Sequence, residues 1–325
     1  MKLNARGLMA RPEIAALAIY IVLFVLFSLL NARFFTTGNM TVYLQPVPEI
    51  AIVAIGMTIL IIAGEFDLSV GSVFGLSPMV TVLLMQYGWP MGVAILAGLL
   101  VAALIGVANG LITLRLKIPS FIATLGMLFM ARSLAIVLAG GFPPNFPREA
   151  DVSWLVGRLD LGLVTPRASL LYMIAIALVL GFVLRRMDFG HWVYATGGHP
   201  QAARDMGIKT DRVKMACFVI CATLAGFAGI IQSFRVKVIV PNLGTGLEMQ
   251  AIAAAVIGGV ALSGGVGSIL GAVIGTLLIA VIENILILSG VNANWFMFAV
   301  GAMIVIAVVL NTQTRLKAER MKGPA

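Results

Sequence analysis

The stretch "AGEFDLSVGS", residues 63–72, decides how this chain is read. The fourteen residues before Gly64, Ile50 to Ala63, carry no charge, and neither do the twelve from Val73 to Leu84. Two apolar segments therefore meet at a junction that holds Glu65 and Asp67. Asp is a favoured N-cap, and its carboxylate complements the positive end of a helix. Gly64 and Gly71 permit close backbone approach. The pattern predicts a helix that stops near 64 and another that starts near 68. One reading makes Asp67 a simple cap at a membrane surface. The other makes it part of a broken helix lining a cavity, the setting in which irregular backbone is tolerated inside a membrane.

Working outward, the whole chain has the same character. Of 325 residues, 61% are apolar and 11% charged, against about 25% charged in a soluble domain; the mean hydropathy is +1.07. The fold class expected is an all-α integral membrane protein, with 1–325 as a single transmembrane domain. About ten spans are predicted, near 13–31, 47–64, 68–87, 90–114, 119–140, 168–184, 213–234, 246–263, 267–289 and 293–311, because each is close to the roughly 20 apolar residues that cross a bilayer. Breaks or re-entrant segments are expected near 64–72 and 258–268. The run from Ile14 to Leu30 reads as a retained first span rather than a cleaved signal.

The net charge of +9 is explained by topology and needs no nucleic acid. With an even number of spans and both termini cytoplasmic, fifteen of the 22 basic residues fall on the inner side, six on the outer side, and Arg132 inside a span. That is the positive-inside bias. Two connections are long: 141–167, assigned outside, and 185–214, assigned inside. Cys217 and Cys221 share one helix face and read as core packing. The stretches 61–76 and 256–272 share an order of apolar, Gly, Leu-Ser, Gly, Ser and Gly positions, a hint of internal repetition.

Several chemistries have no residues to support them. No G-x-x-x-x-G-K-[ST] loop occurs, so phosphate would not be cradled in the usual way. No metal-spaced His/Cys cluster is visible, and the two histidines, His191 and His199, both lie in the inner loop. No catalytic residue, metal or resident cofactor is expected.

Besides 63–72, two stretches carry the functional reading. In "ATGGHPQAARDMGI", 195–208, Pro200 suits a helix start and Gly207 a helix stop, which predicts a short cytoplasmic docking helix with Gly198, His199, Ala202, Ala203, Arg204, Gly207 and Ile208 as the coupling residues. In "LEMQAIAAAVIGGVALSGGVGSILGAVIGTLL", 247–278, glycine occurs seven times, consistent with tight helix packing or a pathway-lining hairpin. The candidate pathway residues are Asp67, Ser69, Gly71, Asn109, Gln250 and Ser263. Arg132 and Glu283 are charges inside spans and should face the bundle interior, since each would cost roughly 2.5–3.5 kcal/mol at mid-bilayer.

Together "GEFDLSVGS", "GGHPQAARDMGI", "AAAVIGGVALSGGVGSILGAVIG" and "NGLITLRLKIPSFIATLGMLFMARSLAIVLAGG" resemble, over roughly 40–310, the membrane permease of bacterial ribose- and xylose-type ABC sugar importers. The sequence departs from that family's pattern at Glu65-Phe66, His199 and Val266. The resemblance implies a permease in the bacterial inner membrane, working with a second permease subunit, a cytoplasmic ABC ATPase that binds ATP and Mg, and a periplasmic sugar-binding protein; lipid is the remaining partner. A branched-chain amino acid permease and a secondary transporter using Arg132 or Glu283 stand as alternatives.

Overall fold

The computed structural model describes residues 12–147, 151–160, 165–240, 242–292 and 294–321. The basic residues Lys2, Arg6, Arg11, Arg148 and Lys322 lie outside them. In chain order the helices are α1 (Pro12–Leu30), α2 (Thr37–Leu44), α3 (Val47–Ile62), α4 (Val70–Gln86), α5 (Met91–Arg115), α6 (Ser120–Leu138), α7 (Ser153–Val156), α8 (Ser169–Arg186), α9 (Asp188–Gly198), α10 (Pro200–Asp205), α11 (Thr210–Val236), α12 (Leu247–Ile257), α13 (Ile269–Leu288) and α14 (Trp295–Met321). Among the described residues, seven segments are long and apolar enough to cross a membrane, and Val70–Gln86, Leu247–Ile257 and Trp295–Ile306 are shorter apolar helices. Among the described residues the backbone forms no strand beyond an isolated bridge between Arg158 and Arg167. The chain is an all-α, multi-pass membrane protein.

Helix α3 lies at the centre. Every residue from Val47 to Ile62 is buried, as befits a helix that is apolar on all sides. Helices α8, α11, α12 and α13 pack against it. α5 stands outside, and its exposed Leu96, Leu100 and Leu104 recur at a four-residue spacing along one apolar stripe. Cys217 and Cys221 are both buried and free on α11, as core packing requires.

Three predicted boundaries need correction. The span placed at 47–64 begins ten residues earlier, because α2 precedes α3 through a bend at Gln45-Pro46. Its polar residues hid it: Thr36 caps its start by accepting from Asn39 N, and Asn39 and Asn284 exchange reciprocal amide hydrogen bonds of 2.9 Å that dock α2 on α13. The span placed at 246–263 is helical only over Leu247–Ile257, since Gly259 takes a left-handed φ of +92°. In the inner loop, α9 was not anticipated and occupies most of the polar stretch before Gly198.

One buried contact ties the core together at the end of the bundle that carries residues 141–167. Glu49, at the start of α3, pairs with Arg235, in the last turn of α11, at 2.7 Å, with side chains only 1% and 13% exposed. Removing one partner of such a pair leaves an uncompensated buried charge, which typically costs about 3–5 kcal/mol. Glu49→Leu or Arg235→Met alone should therefore lower the melting temperature of the purified protein clearly. The double substitution, which removes both charges, should recover most of that loss, as thermal unfolding in detergent would show.

Candidate functional site

The first break runs from Ala63 to Ser69. Helix α3 ends at Ile62, and Gly64 turns the chain with φ +86°, a conformation in which glycine carries no side-chain penalty. The chain then crosses the bundle before α4 begins. Its backbone amides are satisfied by α6: Phe66 N donates to Ser120 Oγ (3.2 Å) and Leu68 N to Thr124 Oγ1 (3.0 Å). Two hydroxyls one helical turn apart thus replace the hydrogen bonds that the interrupted helix cannot make.

Asp67 holds this break from within. Its Oδ1 accepts from Ser69 N (2.8 Å) and Ser69 Oγ (2.6 Å), and its Oδ2 accepts from Asn109 Nδ2 (3.1 Å). Asn109 Nδ2 also donates to Ser69 Oγ at 2.9 Å. Asp67, Ser69 and Asn109 are all completely buried. The expected N-cap is thereby revised. Ser69 occupies the position before α4 and no side chain caps that helix, while the Asp67 carboxylate folds back as an Asx turn and anchors α5. Glu65 has a partner as well: its Oε1 receives Lys214 Nζ at 2.5 Å, the two side chains being 12% and 15% exposed.

The second break, 258–268, forms a tight hairpin in which Ala261 N donates to Val266 O at 3.0 Å. Ser268 then caps α13 by accepting from Gly271 N. The two breaks meet directly, for Gly265 N donates to Ile62 O at 2.9 Å. Gly197, on the last turn of α9, is wedged into the same point. A Cβ there would overlap Ile62 O, and Cβ atoms at Gly264 and Gly265 would in turn crowd Gly197 and Gly198. Tyr194, one turn back on α9, donates to Gly267 O at 2.8 Å; burial raises its hydroxyl above the ordinary range and keeps the proton for that bond. One short helix end therefore grips both breaks.

The segment predicted to dock a partner follows at once. α10 starts at Pro200 and ends at Asp205, and Gly207, with φ +85°, turns the chain so that Ile208 N returns to Ala203 O at 3.0 Å, a glycine stop of the kind the sequence predicts. Gly198, His199, Ala202, Arg204 and Gly207 are exposed and Ile208 is half-buried. Ala203 is buried against its own chain, unlike its exposed neighbour Ala202. Met206, 83% exposed, presents the apolar side chain that the sequence reading passed over. Arg204 Nε donates to Thr210 Oγ1 at 2.8 Å, fastening α10 to the start of α11.

The structure thus brings Asp67, Ser69 and Asn109 into one network with Gly71 on the following turn. Gln250 is half-buried on α12, and Ser263 is exposed in the second hairpin. Arg132 bonds to Ser72 and Thr245, facing the bundle as expected. Glu283 is half-buried and its neighbour Asn284 makes the contact to α2. Sequence reasoning missed Glu49, Glu248 and Arg235 as buried charges; each lies within two residues of a predicted span end, where a solvated position was the natural reading.

Residues 39–308 match the family described as branched-chain amino acid transport system / permease component. The chain belongs to this permease family. Among curated relatives, it is 36% identical to a ribose import permease of Escherichia coli strain K12, over 94% of each chain. It is 32% identical to a xylose/arabinose import permease of Sulfolobus acidocaldarius, over 99% of this chain and 91% of the relative. It is 33% identical to an autoinducer 2 import system permease of Shigella flexneri, over 95% and 89%. No solved structure matches.

Two outcomes follow from the geometry. Asp67→Ala strands Ser69 and Asn109 as buried groups, at about 1–3 kcal/mol for each unsatisfied group, whereas Asp67→Asn keeps the acceptor for Ser69 and should cost clearly less. Urea unfolding of the purified variants measures the difference. Gly197→Ala should disrupt the junction although alanine favours helix; hydrogen exchange should show faster exchange at the Gly265 amide than in the parent protein.

Proposed function

We propose that this chain is the membrane-spanning subunit of an ATP-driven importer that carries a monosaccharide or a related small polyhydroxylated solute. The observation that supports this most is the match along almost the full length to relatives named for ribose, xylose/arabinose and autoinducer 2. The family description mentions branched-chain amino acids, but these individual relatives favour a sugar-like cargo. The chain's role is passage, not chemistry. ATP and Mg belong to a separate cytoplasmic ATPase, and a periplasmic binding protein delivers the solute at the outer end. A second permease subunit completes the pathway, and both termini lie in the cytoplasm of a cell whose plasma membrane holds the assembly.

The geometry supports a route for the mechanical step. The ATPase presses on α10 through its exposed face, which carries Ala202 and Met206. α10 follows the last turn of α9 after the single residue His199, and that turn contacts both breaks through Gly197 and Tyr194. α10 is also tied through Arg204 to α11, whose Lys214 holds Glu65 of the first break. A displacement of α10 therefore reaches residues 63–69 and 258–268 together, the two places where the spans lack continuous helical hydrogen bonding and deform most readily.

Ala202→Asp and Met206→Asp place a charge on the exposed face without disturbing buried Ala203. In vesicles carrying the partner ATPase and binding protein, each should reduce ATP-driven D-ribose or D-xylose uptake by about tenfold, the factor that 1.4 kcal/mol of lost docking makes, while membrane insertion is retained. Uptake that ignores ATP and collapses with the proton gradient would overturn the importer reading.

A further inference from the structure

The first turn of α4, the middle of α6 and the loop leading into α12 enclose a second polar cluster, separate from Asp67. Arg132 Nε donates to Ser72 Oγ at 3.3 Å, and its Nη1 donates to Thr245 Oγ1. Thr245 is held in turn by donating to Asn242 O at 2.6 Å. Glu248, only 9% exposed, accepts from Gly246 N at 3.3 Å through Oε1. Its Oε2 lies where a Cβ of Gly71 would stand, so glycine at 71 is what leaves room for the carboxylate. The side chains thus gather around one short stretch, Gly71–Ser72.

Two features are not explained by packing alone. Arg132 Nη2 and Glu248 Oε2 are both buried, and neither has a hydrogen-bond partner. Nor do these opposite charges enter any ion pair among the described residues, although they border the same turn of α4. Buried donors and acceptors are normally satisfied, and a charge at this depth is costly to keep. Asn242 and Thr245, on the loop side of the cluster, are exposed, so the cluster opens to the outside of the chain there.

We propose that Arg132, Glu248, Ser72 and Thr245 form a hydroxyl-recognising site on the translocation route. A neutral polyhydroxylated solute fits its chemistry: one hydroxyl donates to Glu248 Oε2 while another accepts from Arg132 Nη2. A carboxylated solute would meet Glu248, and an ammonium would meet Arg132, so one charge of each sign selects against both. This assignment rests on the importer reading and goes further in naming the groups that touch the cargo in transit.

The test uses the complete transporter, with its ATPase and binding protein, in proteoliposomes. The readout is solute moved per ATP hydrolysed, for D-ribose and each monodeoxy-D-ribose at saturating binding protein. The unaltered protein should move at least one deoxy sugar less efficiently than D-ribose. Glu248→Gln and Arg132→Gln should lower the D-ribose ratio by about tenfold and level the sugars, and Arg132→Lys should restore part of the ratio. Should the Arg132 variants fail to reach the membrane, Thr245→Val, at an exposed loop position, should still narrow the difference between sugars. An unchanged ratio and unchanged selectivity in Glu248→Gln and Thr245→Val would overturn the site while leaving the importer reading intact. Absence of ATP-driven pentose uptake by the unaltered protein would overturn that reading, and the site with it.

Discussion

A single backbone hydrogen bond, from Gly265 N to Ile62 O, joins the break after the central helix to the break at 258–268. Ile62 is the last residue of the central helix, and its carbonyl is one of the acceptors that a helix end leaves unsatisfied. In a medium without water such a group must find a partner. The second break supplies it, and only glycine at 197 lets the end of α9 lie against the same carbonyl. The need to satisfy one orphaned carbonyl thus places the end of α9, both breaks and the central helix at one point.

The rest of the first break is arranged around that point. Gly64 can turn because a glycine takes a positive φ without side-chain penalty, and Gly197 and Gly264 pack close beside it. The extended residues after it would be costly in a dry interior, but Ser120, Thr124 and Asp67 answer their amides. Asn109 then ties the break to α5, and Lys214 ties Glu65 to α11. Each tie is polar and short, so each can re-form after a small displacement, whereas close-packed apolar surfaces resist partial shifts. The break is stable in one arrangement without being locked into it.

Much of this was legible in the sequence. The apolar blocks, the glycine at each break, Asp67 between two neutral runs, and Pro200 and Gly207 framing a short helix all have local signatures. What was not legible depends on distant partners. Nothing near Asp67 reveals that Asn109, 42 residues away, takes its second oxygen, so the carboxylate was read as a cap. Ala203 and Ala202 look alike in sequence, yet tertiary packing buries one and exposes the other. Glu49 and Arg235 lie at span ends, where solvent is the simplest assumption; their pairing needs α3 and α11 side by side. The residues of α2 are too polar to advertise a helix that crosses part of a membrane.

The most direct measurement is of distances across the junction during the transport cycle. With Cys217 and Cys221 replaced, spin labels at the exposed positions His199 and Val266, and at exposed Leu116 as a reference, can be compared by pulsed electron paramagnetic resonance with and without ATP in the assembled transporter. If the grip on Ile62 makes α9 and the two breaks one moving body, the 199–266 distance stays constant while both distances to Leu116 change. A 199–266 distance that changes on ATP binding, with either label fixed relative to Leu116, would contradict it.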